Sequence, residues 1–317
     1  MNFRGRSEAL IPFLQDPKIT DILINGPGKF FIEKEGELTR LESPFPDPSS
    51  LVDLIERLLV PIGKRVDATQ PYIDGRMEDG SRFHIILPPI AADGPYISIR
   101  KFRSPNDTQG FSEMGQRVLT EWLEKQIIEK KNLLICGGTG VGKTTLLSRL
   151  LSHVPESERI ALIEETREIQ TLHPHTVFLE TRTATPDGVG EVTLRTLIRN
   201  ALRMRPDRVV LGECRGEEAF DLIQAMNTGH RGSLCTLHAN GARDALRRLE
   251  GLLLLTGVAI PISVVREWVG STLDHVVYLN RENGRRQISE VMSVHGLEGE
   301  VYRIRPRFTR GQVIDFT

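Results

Sequence analysis

Apolar residues recur along this chain with two different spacings, and the change in how those spacings are arranged marks its organisation. In the first third, short strand-like runs lie close together. Ile19-Thr-Asp-Ile-Leu-Ile-Asn25 and Phe30-Phe-Ile-Glu-Lys34 flank Gly26-Pro-Gly-Lys29, which predicts a hairpin-like pair with a four-residue connection. Leu51, Leu54, Ile55, Leu58 and Leu59 then follow the helical period, predicting a helix within Pro48–Ile62. Asp79-Gly80 joins two further short strands, and Tyr96–Arg100 reads as another. Phe102–Gly110 has the turn-rich composition of a linker. The expected division is an α+β domain over 1–103, a linker over 104–110 and a second domain over 111–317.

Beyond the linker, apolar strand-like runs alternate with helical ones. The strand candidates are Asn132–Cys136, Arg159–Ile163, Thr176–Glu180, Arg208–Leu211, Ser233–His238 and His275–Leu279. With helices between several of them, the pattern predicts an α/β fold built on a mainly parallel sheet. Gln287–Val294 and Val301–Ile304 suggest a terminal hairpin turning at Gly296–Gly299.

One loop in this second region carries specific chemistry. Gly137-Gly138-Thr139-Gly140-Val141-Gly142-Lys143-Thr144 is an unbroken phosphate-loop pattern between a strand-like run and a helix-like run that continues through Thr145 to Leu151. Its glycines let backbone N–H groups curl round a polyphosphate, and the helix start adds partial positive charge. Lys143 reaches the outer phosphates, and the Thr144 hydroxyl suits Mg²⁺. The chain is therefore expected to bind a nucleoside triphosphate.

Two apolar strands end in carboxylates, Ile160–Glu164 followed by Glu165 and Glu168, and Arg208–Glu213. Ligands of open parallel sheets sit at the carboxyl ends of strands, so both acidic ends should face the loop. Hydrolysis needs one carboxylate near the metal and one group acting on the attacking water. Glu213 suits the first place, through the metal's water shell, and Glu164 the second.

Two histidines, His230 and His238, stand at the start and end of one strand candidate, and His238 is placed for a γ-phosphate contact. Arg195, Arg199 and Arg203 recur every four residues beside an apolar stripe, and Arg205 and Arg208 continue the cluster. Spacing leaves two readings open: a solvated basic face, or arginines reaching phosphates across a subunit interface.

Composition narrows the classes. Lys plus Arg number 41 and Asp plus Glu 42, a formal charge of −1, so the total shows no footprint of nucleic-acid binding. No apolar run approaches the roughly 18 residues of a membrane span. Met1–Arg6 has charge without an apolar stretch behind it, so no signal peptide is expected. Cys136, Cys214 and Cys235 have no zinc-site spacing and read as core residues of a cytosolic protein.

Taken in order, four boxes resemble those of the bacterial secretion ATPase superfamily, which powers type II secretion, type IV pili and type IV secretion. They are the phosphate loop, the acidic box Ile163–Glu168, Leu211-Gly-Glu213 and the histidine box Thr228–Asn240. Ala201–Arg208 and Gly212–Gly216 look most like the CpaF-like branch serving tight-adherence (Flp) pili, as do Asp67, Gly75-Arg76, Asp79–Arg82, Pro88-Pro89 and Ile99–Phe102. The acidic box differs in one place, with Glu165 where many members have Asp. The tetracysteine module of type II members is absent.

The resemblance implies a RecA-like P-loop NTPase domain preceded by the smaller α+β domain, and a Mg-dependent ATPase working as a homo-hexamer. It implies ATP bound between the two domains near a neighbouring subunit, with Arg100 reaching the phosphates and Arg76 and Arg82 as weaker candidates. It also implies a cytoplasmic enzyme, peripheral at the inner membrane, acting on a platform protein that inserts or extracts pilin. Direct nucleic-acid contact is not expected. A hexameric nucleic-acid translocase on the same core is the alternative, with Arg195–Arg208 lining its channel. A small-molecule kinase would need an acceptor site and a lid that the pattern does not offer.

Overall fold

The computed structural model of the protein describes residues 5–102, 117–184, 188–257, 259–282, 285–309 and 312–316. Contacts divide the chain into two compact units, Met1–Ser104 and Pro105–Thr317. The linker expected over 104–110 lies outside the described residues.

Unit 1 opens with the short helix α1 (Ile11–Gln15) and the strands β1 (Ile19–Asn25), β2 (Phe30–Lys34) and β3 (Glu37–Leu41). The helix α2 (Pro48–Leu59) and the strands β4 (Tyr72–Arg76), β5 (Arg82–Ile86) and β6 (Tyr96–Arg100) follow. The strands form one sheet in the order β3-β2-β1-β6-β5-β4, with antiparallel neighbours. Leu51, Leu54, Ile55, Leu58 and Leu59 of α2 bury against Ile22, Ile24, Phe83, Ile85, Ile97 and Ile99 of the sheet. Asp47 starts that helix by accepting the Ser50 N–H, a cap that offsets one orphan donor. The sequence pattern missed β3 because it is an exposed edge strand with no buried residue.

In register, Arg76 lies opposite Arg82, Arg82 opposite Arg100 and Arg100 opposite Asp21. Directly opposed residues share a face. Ile97 and Ile99 point into the core, so this row lies on the other, solvated face.

Unit 2 begins with α3 (Arg117–Ile128), β7 (Leu133–Gly137), α4 (Lys143–Leu151), β8 (Ile160–Glu164) and β9 (Thr176–Glu180). Next come α5 (Leu194–Ala201), β10 (Arg208–Leu211), α6 (Glu218–Asn227) and β11 (Leu234–Leu237). The chain continues through α7 (Ala242–Leu254), α8 (Ile262–Thr272), β12 (His275–Glu282), β13 (Arg285–Glu298), β14 (Val301–Thr309) and β15 (Gln312–Val313). The sheet order is β15-β14-β13-β12-β7-β11-β10-β8-β9. From β12 to β9 every neighbour is parallel, and from β12 to β15 every neighbour is antiparallel.

Both faces of the parallel part are covered. Side chains of α3 and α4 pack on Leu133, Ile135, Leu162, Val210 and Val277. Those of α5 to α8 pack on Leu134, Ala161, Ile163, Val209, Leu211 and Val276. Strands buried on both faces read as unbroken apolar runs, which made them visible in the sequence.

The terminal hairpin differs from its expected form. It turns at Gly299-Glu300, and Gly296 instead sits at a register shift within β13, with φ +83°. A glycine bulge bends a strand without ending it. The bend also lets α8 approach closely, since a Cβ on Gly270 would lie 3.3 Å from the Gly296 Cα.

Arg208 does not continue an exposed basic face. It is fully buried at the start of β10, where its Nε donates to Glu158 Oε2 at 2.7 Å and its Nη1 to the Gly232 carbonyl at 3.3 Å. Gly232 makes room for the guanidinium, because a Cβ there would come within 2.7 Å of Nη1. Arg208 and Lys130 together overcome the effect of burial and hold the Glu158 carboxyl below its ordinary pKa. Removing one partner of such a pair leaves a buried charge uncompensated. Glu158→Ala should therefore cost about 3–5 kcal/mol in urea denaturation of the whole chain. A loss below about 1 kcal/mol would show that solvent reaches Arg208.

Candidate nucleotide site

The phosphate loop leaves β7 at its carboxyl end and enters α4. Gly137, Gly140 and Gly142 have φ of +153°, +71° and +97°, conformations that favour glycine. A Cβ on Gly137 would lie 2.4 Å from the Leu279 carbonyl oxygen of the neighbouring strand. Gly138, Thr139 and Gly140 are exposed, whereas Val141 turns inward and anchors the loop in the core. No side chain caps the start of α4, so its first-turn N–H groups, including those of Thr144 and Thr145, suit an anion.

Lys143 is buried. Its Nζ donates to the carbonyls of Gly137 at 3.1 Å and Gly138 at 2.8 Å, and contacts His238 Nδ1 at 3.3 Å. Burial lowers its pKa, against the opposing pull of Glu213. An ammonium only donates, so Nδ1 of His238 must accept and the ring proton sits on Nε2. Nε2 lies 2.9 Å from Glu213 Oε1. Burial and the nearby Lys143 push the His238 pKa down, which keeps the imidazole neutral at pH 7.

Glu213 follows β10. Burial would raise its pKa, but the hydrogen bond and charge of Arg215, with His238 and Lys143, hold it below the usual value. Oε2 accepts from Arg215 at 2.6 Å. Oε1 is buried and no aligned hydrogen bond reaches it from the described residues, His238 being close but off line. A buried carboxylate oxygen without a donor suits a cation or a cation's water. The Thr144 hydroxyl and this oxygen are hard donors of the kind Mg²⁺ takes, and Mg²⁺ needs only one or two protein ligands beside phosphates and waters. Among the described residues no group of three or more His, Cys, Asp or Glu could enclose a metal by itself.

Glu164 ends β8 in a buried position, and its Oε1 accepts the N–H groups of Glu168 and Ile169, both at 3.0 Å. It crosses Gly212 so closely that a Cβ there would lie 2.7 Å from its Cγ. Gly212 and Arg215 are the site residues that sequence reasoning missed. The resemblance covered both, but only the packing gives each a role.

The remaining expected residues lie elsewhere. His230 precedes β11 while His238 follows it, so His230 stands at the amino end of the parallel strands, away from the loop. Its Nδ1 donates to the Ala225 carbonyl at 3.1 Å, finishing α6. Arg199 donates to Asp221 Oδ1 and Arg195 to Asp221 Oδ2, both at 2.7 Å, which ties α5 to α6 within the chain. Arg203 donates to the Arg199 carbonyl at 3.3 Å. Arg100 belongs to unit 1, on its solvated sheet face, 3.8 Å from Asp21.

The sequence model of the family described as Type II/IV secretion system protein matches residues 5–290. The chain belongs to that family. A Mycobacterium tuberculosis protein provisionally described as a conjugal transfer protein is 35% identical over 305 residues, covering 93% of this chain and 86% of its own. The type IV secretion system protein PtlH of Bordetella pertussis is 31% identical over 323 residues, covering 92% of this chain and 94% of its own. The crystal structure of the Legionella pneumophila ATPase DotB shares the fold, with a TM-score of 0.60 at 22% identity over 90% of this chain and 80% of that one. Membership of the secretion family, with the phosphate loop built as described, makes the chain a P-loop ATPase of the type II/IV secretion class.

Two variants separate binding from chemistry. Lys143→Ala should abolish nucleotide binding, since no other loop side chain is cationic. Glu164→Gln keeps an acceptor for the Glu168 and Ile169 N–H groups, so it should fold and bind ATP. Its turnover should fall by about 10²–10⁴ if the carboxylate acts on the attacking water. Fluorescence titration with labelled ATP beside phosphate release measures both, and weak binding by Glu164→Gln would make Glu164 a structural residue.

Proposed function

We propose that this chain is a Mg-dependent ATP-hydrolysing motor, assembled as a homo-hexameric ring, that drives a tight-adherence-type pilus or a related secretion system. The observation that carries the reading is the contact path from Lys143 through His238 to Glu213, which joins the phosphate-binding lysine to the carboxylate suited to the metal. Family membership supports the machine class. The descriptions of the relatives as conjugal transfer and type IV secretion proteins support a secretion system beside the pilus reading.

The roles follow from chemistry. The loop N–H groups from Gly138 to Thr145 and Lys143 hold the phosphates of ATP. Thr144 and Glu213 serve Mg²⁺, which when bound would neutralise charge on the outer phosphates. Glu164 orients and deprotonates the attacking water. Neutral His238 stands between Lys143 and Glu213, where it can pass the state of the γ-phosphate to β11. Arg100, Arg199 and Arg203 act, on this reading, where subunits meet around the nucleotide, and Arg199 must exchange Asp221 for that role; His230, at the opposite end of the strand from the loop, has no part in it. The motor works on a platform protein at the inner membrane from the cytoplasmic side. No helix among the described residues is long and apolar enough to cross a membrane.

A nucleic-acid translocase would need the arginines of α5 free for a strand. Arg195 and Arg199 are both held by Asp221, which weighs against that alternative.

Phosphate release with Mg·ATP across a protein dilution series, with mass determined at each concentration, tests the ring. Specific activity should rise as monomer gives way to hexamer. Full activity in a strict monomer would overturn the shared-site motor.

A further inference from the structure

Arg215 has no part in the roles assigned above, yet its guanidinium spans two carboxylates at the edge of the site. Its Nη2 donates to Glu213 Oε2 at 2.6 Å and its Nη1 to Glu165 Oε2 at 2.9 Å. The turn that carries it is pinned as well. The N–H groups of Arg215 and Gly216 both donate to Glu218 Oε1, at 2.6 and 2.7 Å, and Glu218 is buried in the first turn of α6. A carboxylate can rotate either oxygen towards a ligand, and here that freedom is removed. Arg215 occupies Oε2, while His238 lies beside Oε1 without an aligned hydrogen bond to it, which leaves Oε1 to a ligand.

We infer that Arg215, steadied by Glu165, is the positioning residue that fixes Glu213 so that Oε1 is the oxygen presented to Mg-bound nucleotide. The inference deepens the proposed function and rests on Glu213 serving the metal. In this role Arg215 acts through Glu213. Its side chain is well placed for this, because the planar guanidinium holds one carboxylate on each of two N–H groups in fixed relative directions, which a lysine does not. Glu165 gains a task too: the second carboxylate of the acidic box holds the arginine and leaves the reaction to Glu164.

The test is Mg²⁺ titration of labelled-ATP binding to the full chain, with turnover and melting temperature measured on the same samples. Arg215→Gln should raise the Mg²⁺ concentration needed for half-maximal tightening by about tenfold, the scale of one charge-assisted hydrogen bond. Affinity for ATP without Mg²⁺ should stay within about twofold, and kcat should fall while KM for Mg·ATP at saturating Mg²⁺ does not rise. Glu165→Gln should shift the Mg²⁺ requirement the same way by about threefold, and the double variant should be no worse than Arg215→Gln, because Glu165 works only through Arg215. Arg215→Lys, which keeps the charge but loses the fork, should fall between wild type and Arg215→Gln. Both side chains are about half exposed, so the variants should fold, and the melting temperature checks it.

An unchanged Mg²⁺ requirement in Arg215→Gln, where Glu213→Gln raises it, would overturn the inference and leave the role of Glu213 intact. No change in Glu213→Gln would remove both. Loss of Mg²⁺-free ATP affinity in Arg215→Gln would make Arg215 a phosphate ligand and overturn the positioning role.

Discussion

The site depends on β11 lying between β7 and β10 in the parallel sheet. Neighbouring strands stand about 4.8 Å apart, so the strand that launches the phosphate loop and the strand that ends in Glu213 are separated by roughly 10 Å. A lysine and a glutamate across that gap would be two partly buried charges without a partner between them. β11 ends at the same level and delivers His238 into the gap, within 3.3 Å of Lys143 and 2.9 Å of Glu213. A neutral ring can accept from one and face the other. The same strand fixes the Glu213 turn, since the Thr236 hydroxyl donates to the Gly212 carbonyl at 2.6 Å and the Cys214 N–H to the Thr236 carbonyl at 2.8 Å.

Around this arrangement the structure removes freedom from each acidic group in a different way. Glu164 is held by two backbone N–H groups and by the bare Gly212 beneath it. Glu213 is held by the Arg215 fork, and Glu218 pins the turn. Electrostatic preorganisation of this kind costs nothing at the moment of reaction, because the groups are already in place. The folding free energy of the core supports it. Two apolar layers, one under α3 and α4 and one under α5 to α8, clamp the strands whose ends carry the site.

Much of this was legible in the sequence because the signals were local. Lys143, Glu164 and Glu213 each follow an apolar run, and strand direction alone placed them at one end of a parallel sheet. The start and end positions of His230 and His238 on one strand were equally visible, and a four-residue strand between them puts only His238 on the loop side. What could not be read was non-local. Strand order, and with it the placing of His238 between two charges, is a tertiary fact. Asp221 holding both Arg195 and Arg199 comes from another helix, so a period-four arginine pattern could not distinguish a clamp from a solvated face. Arg208 looked like part of that cluster, because burial of its partner Glu158 fifty residues earlier leaves no local trace. β3 escaped notice for the opposite reason, having no buried face to create a pattern.

The most direct test is a structure of the chain with Mg²⁺ and a non-hydrolysable ATP analogue. The account predicts nucleotide at the carboxyl ends of β7 and β10. Lys143 Nζ should have moved from the Gly137 and Gly138 carbonyls to the outer phosphates, with His238 still beside Glu213. Nucleotide bound elsewhere, or a Lys143 still bonded to its own loop, would contradict it.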